Sequence, residues 1–257
     1  MNLSSPSAEV VLITGASSGL GAGMAREFAR RGYSLALCAR RTDQLQSLAA
    51  EIEAKFPGCR VEIAQLDVTD HAAVFTCFRA FRDRFGHIDR VIVNAGIGSG
   101  VPVGKGGFAR NLAIVETNFT AAFAQAEAAM EIFRDQNKGH LVVISSMSAM
   151  RGLRGGMTAY SASKAAVAAL AEGIRGDVLK KKGIDVSTIF PGYITTEINA
   201  DVPKSRTPFI IDGARGARLL VDAIERRRPA AFVPFWPWSV VGLAMRVLPL
   251  SIVNRLG

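Results

Sequence analysis

A chain of 257 residues, 49% hydrophobic and 21% charged, can build one α/β domain with a sizeable core, and its ordinary composition excludes a disordered or fibrous protein. The net charge of +9 is spread over short runs (Arg30-Arg31, Arg40-Arg41, Lys180 to Lys182, Arg226 to Arg228) that suit the C-terminal ends of helices. An acidic cofactor or an anionic membrane surface explains that charge at least as well as nucleic acid, and since no recognition motif accompanies it no nucleic-acid partner is expected. Cys38, Cys59 and Cys77 are odd in number and lack metal-ligand spacing, so a reducing cytoplasm with neither disulfide nor zinc is expected, with Cys38 a small core residue. Met1 to Ala8 has no apolar stretch, and no signal peptide is expected.

The first element is Val10 to Ile13, a β-branched and apolar run that stops at glycines and gives way to a helical pattern through Met24, Phe28 and Ala29. The turn between them, Thr14-Gly15-Ala16-Ser17-Ser18-Gly19-Leu20-Gly21, lets the backbone bend sharply and lets a pyrophosphate approach without a Cβ in the way. The helix N-terminus then offers N–H groups and the positive end of its dipole. By itself such a turn could be an ordinary βα connection. It is not a P-loop, because no lysine follows the last glycine.

Ser34 to Ala39 is the second strand, and it ends in Arg40 and Arg41. A dinucleotide-binding fold that uses NAD carries an acid about 20 residues past the glycines to hold the ribose hydroxyls. None stands between Ser34 and Thr42, and two guanidinium groups matched to a 2′-phosphate take its place, Arg40 ahead of Arg41 because it lies nearer the strand end. NADP(H) is the expected cofactor, against the alternative of plain surface arginines. Thr42 is the expected N-cap of a helix running to Phe56, and strand Val61 to Leu66 leads into Asp67-Val68. A helix from His71 to Phe85 follows; His71, His87 and His140 are all expected at the surface. Strand Val91 to Val93 opens into Asn94-Ala95-Gly96 and a glycine-rich loop, and a long helical stretch from Phe108 to Gln136 carries Asn118, a poor helix former. The apolar run Leu141 to Ile144 fits a strand buried on both faces and delivers Ser145 and Ser146 to its C-terminal end. Tyr160-Ser161-Ala162-Ser163-Lys164 opens a helix, Ile184 to Phe190 is a strand ending in Pro191-Gly192, Asp212 to Arg228 is a helix, and Ala230 to Val233 the last strand.

The spacing Thr14-Gly15-x-x-x-Gly19-x-Gly21, with Asn94-Ala95-Gly96, Ser146, Tyr160-x-x-x-Lys164 and Pro191-Gly192 in that order, resembles the short-chain dehydrogenase/reductase family in its shorter, single-domain subfamily. The motifs reach from Val10 to Thr196, about three quarters of the chain. The resemblance implies a doubly wound, Rossmann-type α/β fold, with a mostly parallel seven-stranded sheet and helices on both faces, over residues 1–257. It implies a homodimer or homotetramer formed through the helices containing Asn118 and Lys164. It also implies that Thr14, Gly15, Ser17, Ser18, Gly19, Leu20 and Gly21 hold the cofactor phosphates, that Asp67 and Val68 lie beside its adenine, and that Asn94, Ala95 and Gly96 line it. Ile194 and Thr196, past Pro191 and Gly192, would meet the nicotinamide end. Asn118 would distort its helix and hold a water of a proton relay, or be a core asparagine satisfied by backbone, or both. Ser146 is preferred to Ser145 as the hydroxyl that polarises a carbonyl, although Ser148 stands nearby and the segment from Ser146 to Tyr160 is about one residue longer than usual.

Hydride reduction of a carbonyl leaves an alkoxide that needs a proton, and a phenol with its ordinary pKa near 10 is a sluggish donor and acceptor at neutral pH. A lysine one helical turn on, ~4 Å away at an effective dielectric of ~20, would favour the phenolate by roughly 4 kcal/mol, so Lys164 is expected to draw the Tyr160 pKa down. The implied activity is NADP(H)-dependent interconversion of a ketone or aldehyde and an alcohol. The rival is a redox sensor that binds NADP(H) without turnover. Residues 195–211 are expected to form a substrate lid. The apolar tail, 235–257, has Arg246 and Arg255 as its only charges and is broken by prolines short of a membrane span. It is open to three readings: a cover for the active site or a subunit interface, a segment lying peripherally in a membrane surface, or plain core. Its apolarity suggests a lipophilic substrate.

Overall fold

The computed structural model describes residues 9–196 and 209–256. Seven strands, all parallel, form one sheet in the order β3-β2-β1-β4-β5-β6-β7: β1 Val10–Thr14, β2 Ser34–Ala39, β3 Val61–Gln65, β4 Arg90–Val93, β5 Gly139–Ile144, β6 Ile184–Pro191 and β7 Ala230–Val233. Central strands of a sheet covered on both faces read as unbroken apolar runs, as β1, β2 and β5 do. Alternate residues then divide between two cores. Val10, Leu12, Val91, Leu141 and Val143 pack under α3 (His71–Phe85), α5 (Ala121–Gln136) and α6 (Thr158–Val178). Val11, Ile13, Ile92, Val142 and Ile144 pack under α1 (Gly19–Arg30), α2 (Thr42–Lys55) and α7 (Gly213–Glu225). Strand order reverses between β1 and β4, and such a switch point opens a crevice beyond the carboxyl ends of the strands.

The stretch from Phe108 to Gln136 is not one regular helix. It divides into α4 (Phe108–Val115), a π-helical turn over Glu116–Thr120 that contains Asn118, and α5. Thr42 is the first helical residue of α2 rather than its cap; Arg41 holds the cap position and makes no side-chain cap bond. Asp70 and Asp212 do cap their helices, accepting from the backbone N–H of Ala73 and Arg215.

His140 departs most from expectation. It is fully buried, because β5 lies between β4 and β6 and both supply polar partners at its level. Arg90 Nε donates to its Nδ1 at 3.1 Å, and Nε2 lies 2.8 Å from Ser187 Oγ. His71 is exposed and His87 partly so.

Of the segment expected as a lid, residues 197–208 lie outside the described residues. Its two ends are pinned together: Thr195 N–H donates to Ile211 O and Ile211 N–H to Tyr193 O. The tail forms α8 (Phe235–Val247) and α9 (Leu250–Leu256), entered through cis peptide bonds at Pro234 and Pro237. Among the described residues, no helix is long and apolar enough to cross a membrane.

Candidate active site

A cavity of about 1300 Å³ runs along the carboxyl ends of the strands, from the end of β3 to the inner side of α8. The glycine turn forms its floor near the switch point. Gly15 and Gly19 have φ of +63° and +53°, a backbone region that side chains disfavour. A Cβ on Gly15 would lie 2.8 Å from Ala95 Cα, and one on Gly21 would lie 2.4 Å from Gly15 O, so the chain can make this approach only with glycine. Asn94 locks the turn to β4. Its backbone N–H and that of Ala95 donate to Thr14 Oγ1, and its Nδ2 donates to Thr14 O at 2.8 Å. Ser18 precedes α1 and makes no side-chain cap bond, so the helix start keeps N–H groups for an anion. A cradle that a Cβ would fill, set before an uncapped helix start, fits a dinucleotide phosphate.

Arg40 and Arg41 both line the cavity, and they make different contacts. Arg41 reaches across the turn, donating from Nε to Ser17 Oγ at 3.3 Å and from its terminal nitrogen to Ser18 Oγ at 2.5 Å. Arg40 lies near enough to Asp67 for its charge to act on that carboxyl. Burial raises the Asp67 carboxyl, but hydrogen bonds from Thr69 and the Arg40 charge more than offset this and hold it below 3.8. Asp67 therefore serves its own turn, accepting from Thr69 N–H and Oγ1, while it and Val68 also line the cavity.

Ser145 and Ser146 leave β5 in opposite directions. Ser145 is buried and donates to Lys164 O at 2.7 Å. Ser146 faces the cavity, which Tyr160 also lines, and accepts from Ser148 N–H at 3.1 Å. Tyr160 and Lys164 stand one turn apart on α6, yet the ammonium sits 5.9 Å from the phenol ring centroid and donates to Ile144 O at 2.9 Å. Burial raises the Tyr160 pKa above 10, with the Ser146 hydroxyl working against it, and burial lowers Lys164 to about 8. The expected depression of the phenol by the lysine is thus reversed here: the cation is itself desolvated and turned toward a carbonyl. The phenol is a protonated donor at neutral pH.

Asn118 is buried one layer behind the cavity wall. Its Oδ1 accepts from Ile97 N–H at 2.8 Å, and its Nδ2 donates to Ile97 O at 3.0 Å and to Ser163 Oγ at 3.3 Å. It is therefore both satisfied by backbone and seated in the distorted turn. Gly96 separates it from the ammonium: a Cβ there would meet Asn118 Oδ1 at 3.1 Å and Lys164 Nζ at 3.5 Å. Leu20, Pro191, Gly192, Ile194 and Thr196 line the same cavity, and the Thr196 side chain lies over Gly19.

Two lining groups, Tyr193 and Trp238, were given no site role by the sequence, and a third, Ser148, stood there only as a hydroxyl near Ser146. Tyr193 sits close enough to Tyr160 for its phenol to raise the latter's pKa further. Ser148 has a buried hydroxyl without a partner among the described residues. Trp238, from the tail, packs with Met147, Met150 and Phe190 against the cavity. The position of Tyr193 directly after Pro191-Gly192 was a usable signal; the contact made by Trp238 depends on a fold-back that no local pattern carries.

Residues 9–207 match the family described as short chain dehydrogenase. An uncharacterized oxidoreductase of Mycobacterium tuberculosis is 47% identical over 245 residues, covering 95% of this chain and 96% of that one. A short-chain dehydrogenase from Sphingobium yanoikuyae, solved with NADPH, superposes with a TM-score of 0.80 at 30% identity, over 95% of this chain and 97% of that one. A short chain dehydrogenase/reductase from Burkholderia phymatum, solved with NAD, shares the fold with a TM-score of 0.82 at 22% identity, over 96% of this chain and 95% of that one.

Proposed function

Given that the chain belongs to the short-chain dehydrogenase family and is an oxidoreductase of that family, we propose that it interconverts a ketone or aldehyde and an alcohol with NADP(H). The observation that carries the reading is that Ser146, Tyr160 and Lys164 open together on the same cavity as the glycine turn. A bound nicotinamide would supply or accept the hydride. Ser146 Oγ donates to the substrate oxygen and polarises it. Tyr160, protonated at neutral pH, gives its proton to the alkoxide oxygen as charge develops there. Lys164, beside Gly96, would turn its ammonium from Ile144 O toward the phenolate as that charge forms, while Asn118 holds the Ile97 backbone and the distorted turn in register.

Preference for the 2′-phosphate rests on the missing carboxylate after β2 and on Arg41, whose guanidinium already lies against Ser17 and Ser18. The other lining groups, from Gly15 through Asp67, Val68 and Asn94 to Ile194 and Thr196, would complete the nucleotide site, with Thr14 buried behind it as the anchor of Asn94. Apolar groups of α8, α9 and the link between them, including Val241, Met245, Leu248 and Val253, line the cavity away from the glycine turn and favour a lipophilic carbonyl.

We read the whole chain as a single domain working in the cytoplasm, in keeping with three free cysteines. A homodimer or homotetramer would form through the α4, α5 and α6 face, where Phe108, Leu112, Val115 and Phe123 are exposed. The test is steady oxidation of NADPH, with NADH in parallel, against a panel of ketones and aldehydes of increasing chain length. Turnover favouring NADPH and longer apolar substrates supports the reading; tight nucleotide binding without turnover on any of them supports a redox sensor instead.

A further inference from the structure

The α8–α9 layer is apolar on two sides, and the fold covers one of them. At 100° per residue, Trp238, Gly242 and Met245 fall on one side of α8 and Val240, Leu243 and Val247 on the opposite side. The inner side packs on Met147 and Phe190 and walls the cavity. The outer side leaves Val240, Leu243 and Val247 exposed by 54%, 63% and 69%, and Phe235 and Trp236 lead into it at 72% and 71%. A helix apolar all round is ordinarily enclosed on every side.

Charge decides what encloses this one. From Pro229 to Gly257 the chain holds no aspartate or glutamate, while Arg246 flanks the outer stripe and is exposed. Arg151 adds a second guanidinium, donating to Arg246 O at 3.3 Å. In a two-fold contact with a second copy the same patch would meet itself, bringing these arginines onto their equivalents with no carboxylate on the tail to pair them. A bilayer surface containing anionic lipid supplies the missing negative charge and takes up the tryptophan and aliphatic groups at its headgroup boundary. We propose that the outer face of α8 and α9 docks on an anionic lipid surface, setting the apolar end of the cavity against the bilayer with α8 between them. This inference does not depend on which nucleotide the cleft holds.

The experiment is flotation of the full-length protein with vesicles of phosphatidylcholine alone and of phosphatidylcholine mixed with phosphatidylglycerol. The expected result is flotation with the mixed vesicles only, weakening as salt is raised. The double variant Leu243→Glu/Val247→Glu should stay at the bottom while retaining the circular dichroism and nucleotide binding of the wild type. Arg246→Ser should partition about fivefold less well, and it stands in as the test if the double variant does not fold. Failure of the wild type to float with mixed vesicles overturns the proposal, as does equal flotation with both vesicle types. A wild type that stays down yet changes from dimer to monomer on the Leu243→Glu/Val247→Glu substitution would make the face a contact between copies.

Discussion

Trp238 lies flat against Gly192: a Cβ on that glycine would come within 2.2 Å of the indole Cε2 and Nε1. The contact joins the tail to the turn after β6, and it leaves the indole N–H buried without a partner among the described residues. Gly192→Ala should therefore displace the ring and cost about 1–3 kcal/mol, as overpacking does. Trp238→Ala should cost ~3 kcal/mol or more through the void it leaves. Trp238→Phe removes an orphaned donor worth about 1–3 kcal/mol, which offsets its lost area, and should fall within about 1 kcal/mol of wild type. Denaturant midpoints check the series; a phenylalanine variant as unstable as the alanine one would mean that the N–H has a partner.

Arg41, rather than Arg40, should set nucleotide preference. Arg41→Ala is expected to weaken NADPH binding ~10–100-fold, the worth of a lost charge-assisted hydrogen bond, and to leave NADH nearly unchanged. Arg40→Ala should do less, since it is Arg41 whose guanidinium is hydrogen-bonded to Ser17 and Ser18 in the glycine turn. Fluorescence titration with both nucleotides measures this, and equal losses for the two would remove the assignment.

The pH profile should report the lysine. Burial holds Lys164 near 8, whereas Tyr160 lies above 10. Reductase kcat/KM is then level below pH ~8 and falls above it as the ammonium is lost. Lys164→Arg keeps a permanent charge and should move that limb upward even if the overall rate drops. A limb that stays put belongs to another group.

His140 should make the fold sensitive to acid. Burial, with the charges of Arg90 and Arg227 adding to it, holds His140 down to about 2. Unfolded, it takes a proton near 6.5, so between these values the unfolded chain binds more protons. Its contribution is complete above 6.5 and is lost as pH falls, by up to ~1.4 kcal/mol per pH unit. His140→Asn should be less stable at pH 7, through lost contacts with Arg90 and Ser187, but show a flatter decline from pH 7 to 5 in urea melts. An unchanged slope would assign the acid sensitivity elsewhere.

Local chemistry made the sheet and the glycine turn legible. The apolar runs of β1 and β5 declare burial on both faces, and Gly15 and Gly21 occupy positions where any Cβ collides. Asn118 was legible as an oddity in a helix because its side chain competes with the backbone, and the π-helical turn holds it. Long-range burial was not legible. His140 looks like a strand-edge residue until β4 and β6 bring Arg90 and Ser187 to it. The direction of the Tyr160 shift likewise turns on burial of the phenol, which spacing along α6 does not give. The tail reads as uniformly apolar, and only its fold-back separates the Trp238 side from the Leu243 side.

The account turns on the Tyr160 phenol as proton donor, and the most direct measurement compares wild type with Tyr160→Phe for NADPH oxidation on a ketone and for NADPH affinity. The prediction is a fall in kcat of about a thousandfold, the scale of a lost general acid, with the dissociation constant for NADPH unchanged. Undiminished turnover in Tyr160→Phe, with the nucleotide bound as before, would contradict it.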